Sequence, residues 1–325
     1  MNLHNYKTAF QGAIVATAQH FGISEIYVEK DYWVTLALKE IFTNKSTREL
    51  AVFKGGTSLS KCFRIIERFS EDIDLVVIKE EGETDNSLKR KLKKVTAALE
   101  PVMTVIPDHP LENKRGKIRK VVYGYDKVGV EGAFGQIRDH IVVEASSFGK
   151  SHPSEIVSVH SMITAFIATT NNVDLINAYH LEPFKVTVLS IERTFCEKII
   201  SLVRFSYTED PLEDLKDKVR HTYDLHQLLQ QDKISSFLQS DDFEKMLLQV
   251  GKDDDKAIPK DKEWLLKHPS QSLFFSQTEM VWKSLSKTYS GSFRELLTGD
   301  LPEEGKVLKS MMRISVRLKE VKWEI

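Results

Sequence analysis

The feature that most constrains the fold of this chain is a short apolar strand that breaks abruptly into a helix. The pattern predicts a strand over residues 50–54, a break at Gly55 and Gly56, and a helix from Thr57 to about Ile66. Glycine lets a backbone approach a ligand closely, and the free N–H groups at a helix start favour an anion. The pattern therefore predicts an α/β arrangement with an anion-binding turn, although a plain turn without a ligand also explains two glycines.

Length and composition predict a soluble chain of roughly two domains, since 325 residues exceed the ~150 expected of one domain. The net charge of −1 argues against a globally basic coat for nucleic acid. Cys62 and Cys196 are the only cysteines, too few for a disulfide framework, which favours the reducing cytoplasm. No apolar run approaches the ~20 residues of a membrane span, and the first residues lack a signal-peptide pattern. We therefore expect a cytoplasmic protein without a membrane partner.

Hydrophobic periodicity predicts an α/β part followed by a mostly helical part, with a boundary near residues 185–190. The predicted helices lie at 7–20, after the N-cap candidate Ser24, and at 86–100, 190–206, 212–230 and 273–289. The other predicted strands lie at 73–78, 118–125 and 141–146, and the charged segment from Lys252 to Glu263 is expected to be a connecting loop.

Two acids sit at the start of the strand predicted at 73–78. Residues two apart on a strand share a face, so Asp72 and Asp74 are expected to project side by side. At ~4 Å and an effective dielectric constant of ~20, two such charges repel by about 4 kcal/mol, and a bound cation reverses that sign. Oxygen ligands of this kind suit Mg²⁺, although a solvated strand end is the alternative.

A third acid, Glu144, interrupts the apolar strand at 141–146. A carboxylate among β-branched residues is costly unless it is paired, metal-bound or turned to solvent. With Asp72 and Asp74 on a neighbouring strand, it would complete a cage of three carboxylates around a metal.

The run GGTSLSK at 55–61, the run RFSEDIDL at 68–75 and the lone later acid resemble the nucleotidyltransferase superfamily typified by DNA polymerase β. More narrowly, the two runs resemble the AbiEii/AbiGii toxins, nucleotidyltransferases of type IV toxin–antitoxin and abortive-infection systems that act in phage defence. The sequence E-K-D-Y at 29–32 fits a helix of that family. The resemblance covers about residues 25–230 and leaves the last hundred residues without a family counterpart.

The resemblance implies an α/β (α+β) fold class, with a mixed sheet flanked by helices over 1–188. It also implies a helical domain over 189–325 that contributes Lys198 and Asp224 to the site. Lys198 is a cation on an otherwise apolar helix face, where a lysine either reaches an anion such as a triphosphate or extends to the edge of the stripe. Arg220 and Asp224 match the family's R-x-x-x-D helix, but their spacing also fits a surface salt bridge.

The chemistry that the resemblance implies is transfer of a nucleotide from NTP to an acceptor hydroxyl, with release of pyrophosphate. The expected catalytic residues are Asp72, Asp74, Glu144, Lys198 and Asp224, of which the first three are the expected ligands of Mg²⁺ or Mn²⁺. The expected nucleotide-binding residues are Gly55, Gly56, Thr57, Ser58, Lys61 and Lys198, with Lys30 and Asp31 as further candidates near the mouth of the pocket.

The expected partners are the NTP, an RNA acceptor and a cognate antitoxin encoded nearby. Some members of the family extend the 3′ end of tRNA, and two basic stretches at 114–120 and 306–322 could hold RNA, although both also fit a solvated face. Two alternatives stay open: transfer to a protein or small-molecule hydroxyl, and nucleotide binding without catalysis, which the intact set of acids disfavours.

Overall fold

The computed structural model describes residues 2–114, 116–129, 138–147, 151–257 and 263–324. The chain divides into two compact units, the first comprising residues 1–64, 69–147 and 154–188. The second comprises residues 65–68, 148–153 and 189–325. Its two short segments fall within the range that the sequence assigns to the first domain.

The first unit combines helices with a mixed sheet. Its helices are α1 (Lys7–Phe21), α2 (Glu25–Thr43), α3 (Gly55–Lys61), α4 (Asp85–Ala97), α5 (Met162–Ile167) and α6 (Asp174–Ala178). Its strands are β1 (Ala51–Lys54), β2 (Ile73–Val77), β3 (Thr104–Val105), β4 (Ile118–Gly124), β5 (Ile141–Ser146), β6 (Ser154–Val159) and β7 (Phe184–Leu189).

The described strands form one sheet in the order β3-β4-β5-β2-β1-β7-β6. Strand β2 lies near the middle, antiparallel to β1 and parallel to β5. Strand β4 is antiparallel to β5, and β1 is parallel to β7. The mixed sheet confirms the fold class expected from the sequence, and it places the strand that follows Asp72 between two partners.

The central strands are buried on both faces except at single charged positions. In β2 every side chain is buried except Asp74, which is half-buried, and in β5 every side chain is buried except Glu144, which is also half-buried. Leu75 and Val143 are among the residues of a continuous apolar core that also includes Trp33 of α2. Runs of β-branched residues suit strands that are covered on both sides. The two acids therefore stand out as interruptions of an otherwise apolar sheet.

The second unit is helical in the part of the chain that the structure describes. Its helices are α7 (Ile191–Phe205), α8 (Pro211–Lys216), α9 (Val219–Leu229), α10 (Asp232–Leu238), α11 (Asp241–Ala257), α12 (Glu263–Leu266), α13 (Leu273–Ser276), α14 (Thr278–Ser290) and α15 (Glu304–Leu318). Short 3₁₀ turns add Leu3–Asn5 to the first unit, and Pro269–Gln271 and Arg294–Leu296 to the second. The predicted helical C-terminal part is confirmed.

One charged segment was misjudged from its composition. The prediction of a loop from Lys252 to Glu263 is wrong over 252–257, which continue helix α11, and at Glu263, where α12 begins, while 258–262 lie outside the described residues. Asp253 is buried and accepts a hydrogen bond from Arg193 Nη2 at 2.8 Å. The helix continues through this charged run because Asp253 lies on its packed face, where the ion pair with Arg193 compensates for burial of the charge.

Most other predicted elements are confirmed within a few residues, but several were missed. No counterpart in the sequence-based prediction exists for strands β3, β6 and β7 or for helices α5, α6, α10, α11 and α12. The helix predicted at 212–230 is two helices, with a break between Lys216 and Val219, and the one predicted at 273–289 is also two, α13 and α14. The helix predicted to reach Ile66 ends at Lys61. Ser24 occupies the expected N-cap position of α2, but its side chain makes no capping hydrogen bond.

None of the described helices has both the length and the apolar character that a membrane crossing requires.

Candidate active site

Two acids lie side by side on neighbouring strands of the first unit. The parallel register of β2 and β5 places Asp74 beside Glu144. The same row continues outward, since Lys54 of β1 pairs with Asp74, and Lys120 of β4 pairs with Glu144. Paired residues of adjacent strands project from the same face of a sheet. These four residues, which we call the charged row, therefore place two acids side by side in the middle and one cation at each end.

Cations hold two of the three predicted acids. Lys120 Nζ lies 2.7 Å from Glu144 Oε2, and Arg138 Nη2 donates a hydrogen bond to Asp72 Oδ2 at 2.9 Å. Burial, with the neighbouring negative charges of Asp72 and Glu144, raises the pKa of Asp74 to about 7. The place next to Asp74 therefore favours additional positive charge, which is the electrostatic condition for binding a divalent cation.

The donor set of Asp72 and Asp74 fits a divalent cation. The Oδ1 atom of Asp72 is buried and has no hydrogen-bond partner among the described residues. A buried carboxylate oxygen without a partner is costly, whereas Mg²⁺ takes oxygen ligands of this kind. Within the described ranges, no group of three or more His, Cys, Asp or Glu side chains is arranged to hold a metal ion. The expected cage of three carboxylates is thus not preassembled, and Glu144 as a metal ligand stays a prediction.

The glycine turn after β1 is shaped by its contact with these acids. Helix α3 begins at Gly55, whose φ is +84°, and a Cβ at this position would overlap the Asp74 Oδ2 atom. Thr57 Oγ1 donates a 2.6 Å hydrogen bond to the backbone carbonyl of Asp72, and Ser58 Oγ donates one of 2.8 Å to the carbonyl of Gly55. Both hydroxyls are buried, so they hold the turn in place. Nucleotide binding at this turn stays a prediction.

Replacing Gly55 by alanine is expected to lower the free energy of unfolding by about 2–4 kcal/mol, from left-handed backbone strain and overlap with Asp74. Gly82 separates the two causes, because its φ is +73° but a Cβ there would meet nothing within 4 Å. Gly82→Ala should therefore cost only about 1–2 kcal/mol. Denaturant midpoints measure both variants, and equal losses would contradict the overlap.

The acids and lysines at the edge of this region pair with each other. Lys30 is fully buried and lies 3.1 Å from Glu71 Oε2. Asp31 pairs with Lys61 Nζ at 2.5 Å and accepts a 2.7 Å hydrogen bond from the backbone N–H of Met162. The E-K-D-Y helix therefore fixes surrounding loops through buried charges. A nucleotide contact by Lys61 stays a prediction, as do the candidate roles of Lys30 and Asp31.

In the second unit, Lys198 and Asp224 form a buried cluster with Arg68. The Asp224 carboxylate is fully buried and accepts two 2.7 Å hydrogen bonds from Arg68, while Lys198 Nζ lies 2.7 Å from its Oδ2 atom. Burial alone would raise the pKa of Asp224, but the two cations hold it well below its ordinary value. The alternative of a surface salt bridge at Asp224 is wrong, because the carboxylate has no exposure. The catalytic roles of Lys198 and Asp224 stay predictions.

Part of the basic stretch at 114–120 makes contacts within the fold. Arg119 Nε donates a 2.9 Å hydrogen bond to Thr96 Oγ1, and Lys120 belongs to the charged row. Arg115 lies outside the described residues, and Lys117 is exposed. Only part of this stretch is therefore available to an external phosphate.

The C-terminal basic stretch is divided in the same way. Arg313 donates hydrogen bonds to the backbone and side chain of Ser235, and Arg317 donates to the carbonyl of Leu238. Lys306 and Lys309 of α15 are exposed. The lysines rather than the arginines of this helix are the candidates for contact with RNA.

Sequence reasoning missed Arg138, Glu71 and Arg68 as members of these charged clusters. Arg68 begins the run RFSEDIDL at 68–75, and Glu71 immediately precedes Asp72 in it, so both residues could have been found from that run. Arg138 has no local signal, because it is 66 residues from the acid that it contacts.

A family model described as "Nucleotidyl transferase AbiEii toxin, Type IV TA system" matches residues 36–306. The match extends well past residue 230, so the expectation that the last hundred residues lack a family counterpart is wrong. No curated protein matches the sequence.

Among solved structures, the chain is similar to MenT4, a nucleotidyltransferase toxin from Mycobacterium tuberculosis H37Rv. The identity is 16%, the TM-score is 0.53, and the likeness covers 95% of this chain and 90% of the other. At this identity the likeness establishes a shared fold.

Proposed function

This chain belongs to the AbiEii family of nucleotidyltransferase toxins of type IV toxin–antitoxin systems, and we propose that it transfers a nucleotide from an NTP to the 3′ end of a tRNA. Family membership supports an NTP substrate and an antitoxin partner. The observation that carries the proposal is the adjacency of Asp72 and Asp74, with a buried unpartnered oxygen on the first and a raised pKa on the second. A cytoplasmic location follows from the proposed acceptor.

Asp72 and Asp74 are the residues that would hold Mg²⁺ or Mn²⁺, which when bound supplies positive charge to the phosphate oxygens. Thr57 fixes the backbone of Asp72, so the carboxylate is positioned before substrate arrives. Glu144, held by Lys120 beside Asp74, is the proposed acceptor of the proton from the attacking hydroxyl.

The remaining candidates have proposed roles in holding the nucleotide. The backbone N–H groups after Gly55 and Gly56 open helix α3 and are proposed to donate to phosphate oxygens. Lys198 is proposed to bind phosphate through its ammonium group, with Asp224 as the residue that orients it. Lys61, whose ammonium pairs with Asp31, is a further candidate for the same role.

The test of this proposal is a labelling assay with the purified chain. Each NTP carrying label at the α-phosphate is incubated with the protein, Mg²⁺ and total cellular RNA, and the products are resolved on a denaturing gel. We expect label in RNA of tRNA size. Periodate-oxidised RNA, which lacks an intact 3′-terminal ribose, is the matched control and should remain unlabelled.

The other outcomes identify the competing functions. Label in protein or in a small molecule, with none in RNA, would replace the tRNA acceptor with another hydroxyl. Nucleotide binding without release of pyrophosphate under any of these conditions would favour a non-catalytic nucleotide-binding module.

A further inference from the structure

Arg138 contacts one of the two acids that the proposed function assigns to the metal. Its Nη2 atom donates a 2.9 Å hydrogen bond to Asp72 Oδ2, and its Nε atom donates one of 2.9 Å to Glu71 Oε1. The side chain is 32% exposed, so it is partly accessible from solvent. Among the described residues, the third nitrogen of the guanidinium group, Nη1, donates no hydrogen bond.

A buried network holds Arg138 in this position from behind. The fully buried Lys30 ammonium donates a 2.6 Å hydrogen bond to the backbone carbonyl of Arg138 and another hydrogen bond to that of His140. The same ammonium lies 3.1 Å from Glu71, which also accepts a hydrogen bond from the Arg138 backbone N–H. A buried lysine is costly unless all its protons find acceptors. The network therefore fixes the backbone of Arg138 and holds the Glu71 carboxylate opposite its Nε atom.

This position sets two cations in competition for one carboxylate. A divalent ion held by Asp72 and Asp74 would lie next to the guanidinium that already binds Asp72, and like charges at such distances repel. We propose that Arg138 opposes binding of the metal alone and favours binding of the metal–nucleotide complex; the second half rests on the proposed function.

The sign of the effect changes when phosphates are present. A triphosphate brings several negative charges to the same region, and a planar guanidinium binds phosphate oxygens through paired N–H groups. The partly exposed Arg138 then contributes attraction where it previously contributed repulsion. Arg138 thus acts as a nucleotide-binding residue that suppresses occupation of the acids by free metal.

The test compares Arg138→Gln with the wild-type chain in two binding measurements. Binding of Mn²⁺ alone is followed by the loss of the free Mn²⁺ signal in electron paramagnetic resonance. Nucleotide binding is measured by calorimetry with Mn²⁺ and each of four NTP analogues that carry a non-cleavable α,β-bridge. We expect tighter binding of Mn²⁺ alone, by about tenfold, and weaker binding of the preferred Mn²⁺–nucleotide, also by about tenfold; each is about 1.4 kcal/mol.

Two further variants separate this effect from damage to the fold. Lys127→Gln removes the same charge from a neighbouring pair with Asp139, whose side chains are 39% and 60% exposed, and should leave both affinities unchanged. Arg138→Lys keeps the charge and should hold the affinity for Mn²⁺ alone within about threefold of wild type, or about 0.7 kcal/mol.

The opposite shifts in Arg138→Gln are the result that a purely structural role does not produce, since damage weakens both affinities. Unchanged or weaker binding of Mn²⁺ alone would overturn the inference. If the wild-type chain binds a nucleotide and Arg138→Gln binds it equally well, the inference fails while the proposed function stands. If the wild-type chain binds Mn²⁺ but none of the four nucleotides, the proposed function fails, and the inference fails with it.

Discussion

Replacing Asp72 and Asp74 together by asparagine is expected to lower the rate of nucleotide transfer by about 10³-fold or more. The two carboxylates lie together at the start of β2, and one carries a buried oxygen without a partner among the described residues. Asparagine keeps the shape of each side chain but removes the charge that a divalent cation requires. The labelling assay with saturating NTP and Mg²⁺ measures the loss.

A matched control removes the same charge from exposed positions of the same unit. Asp85 and Asp174 are exposed acids in the first turns of α4 and α6, and their double replacement by asparagine should leave the transfer rate within about twofold of wild type. Full transfer activity in the Asp72→Asn, Asp74→Asn variant would remove the metal-binding assignment.

The raised pKa of Asp74 predicts a pH-dependent difference in stability between the wild-type chain and the Asp74→Asn variant. A carboxyl whose pKa is raised to about 7 in the folded chain, against 3.8 ordinarily, destabilises the fold progressively as the pH rises through that interval. Asp74→Asn lacks this titration, so without metal its thermal stability should exceed that of wild type above pH 7. Melting curves at several pH values measure the difference.

Local patterns were sufficient to predict the elements that carry the acids. The strand at 73–77 and the lone acid at 144 are visible because an apolar run of β-branched residues is interrupted by one charge. The glycine turn is visible because a sharp break between a strand and a helix needs a residue without a Cβ. Such features depend on neighbours in the chain, so the sequence alone reveals them.

Contacts between distant segments were not predictable in the same way. The pairing of Lys120 with Glu144 depends on the register of β4 against β5, and a shift by one residue would turn the lysine to the other face. Arg138 contacts Asp72 while buried Lys30 holds its backbone, and no periodicity in the sequence predicts either contact. The basic stretches at 114–120 and 306–322 looked alike as sequence, although the fold binds some of their side chains, such as Arg119 and Arg317.

The same limit applied to Asp224, whose spacing from Arg220 suggested an exposed pair. Its partners in the second unit are Arg68, which is 156 residues away, and Lys198. An acid with two cationic partners can be buried completely, because the hydrogen bonds replace those of water. Sequence spacing identified the residue but not its environment.

Replacing Asp224 by alanine is expected to lower the free energy of unfolding by about 3–5 kcal/mol, because it leaves two buried cations without their shared carboxylate. The side chains of Arg68 and Lys198 are only 4% and 7% exposed, so water cannot take the place of the acid. Urea unfolding followed by far-ultraviolet circular dichroism measures the loss at pH 7.

The effect should also depend on pH in a defined direction. The folded chain holds the pKa of Asp224 below its ordinary 3.8, so the stabilisation is present above that value and is lost as the pH falls below it. The difference between wild type and Asp224→Ala should therefore shrink at the most acidic pH at which both remain folded.

The control for Asp224→Ala is an ion pair of the same unit that solvent reaches freely. Asp242 and Lys245 lie 3.0 Å apart with both side chains 75% exposed, and Asp242→Ala should cost only about 0–1 kcal/mol. A similar small cost for Asp224→Ala would contradict a buried charge cluster. A large cost that stayed constant as the pH fell below 3.8 would instead attribute the loss to packing. Only a large loss that diminishes in acid supports the carboxylate as the shared partner of Arg68 and Lys198.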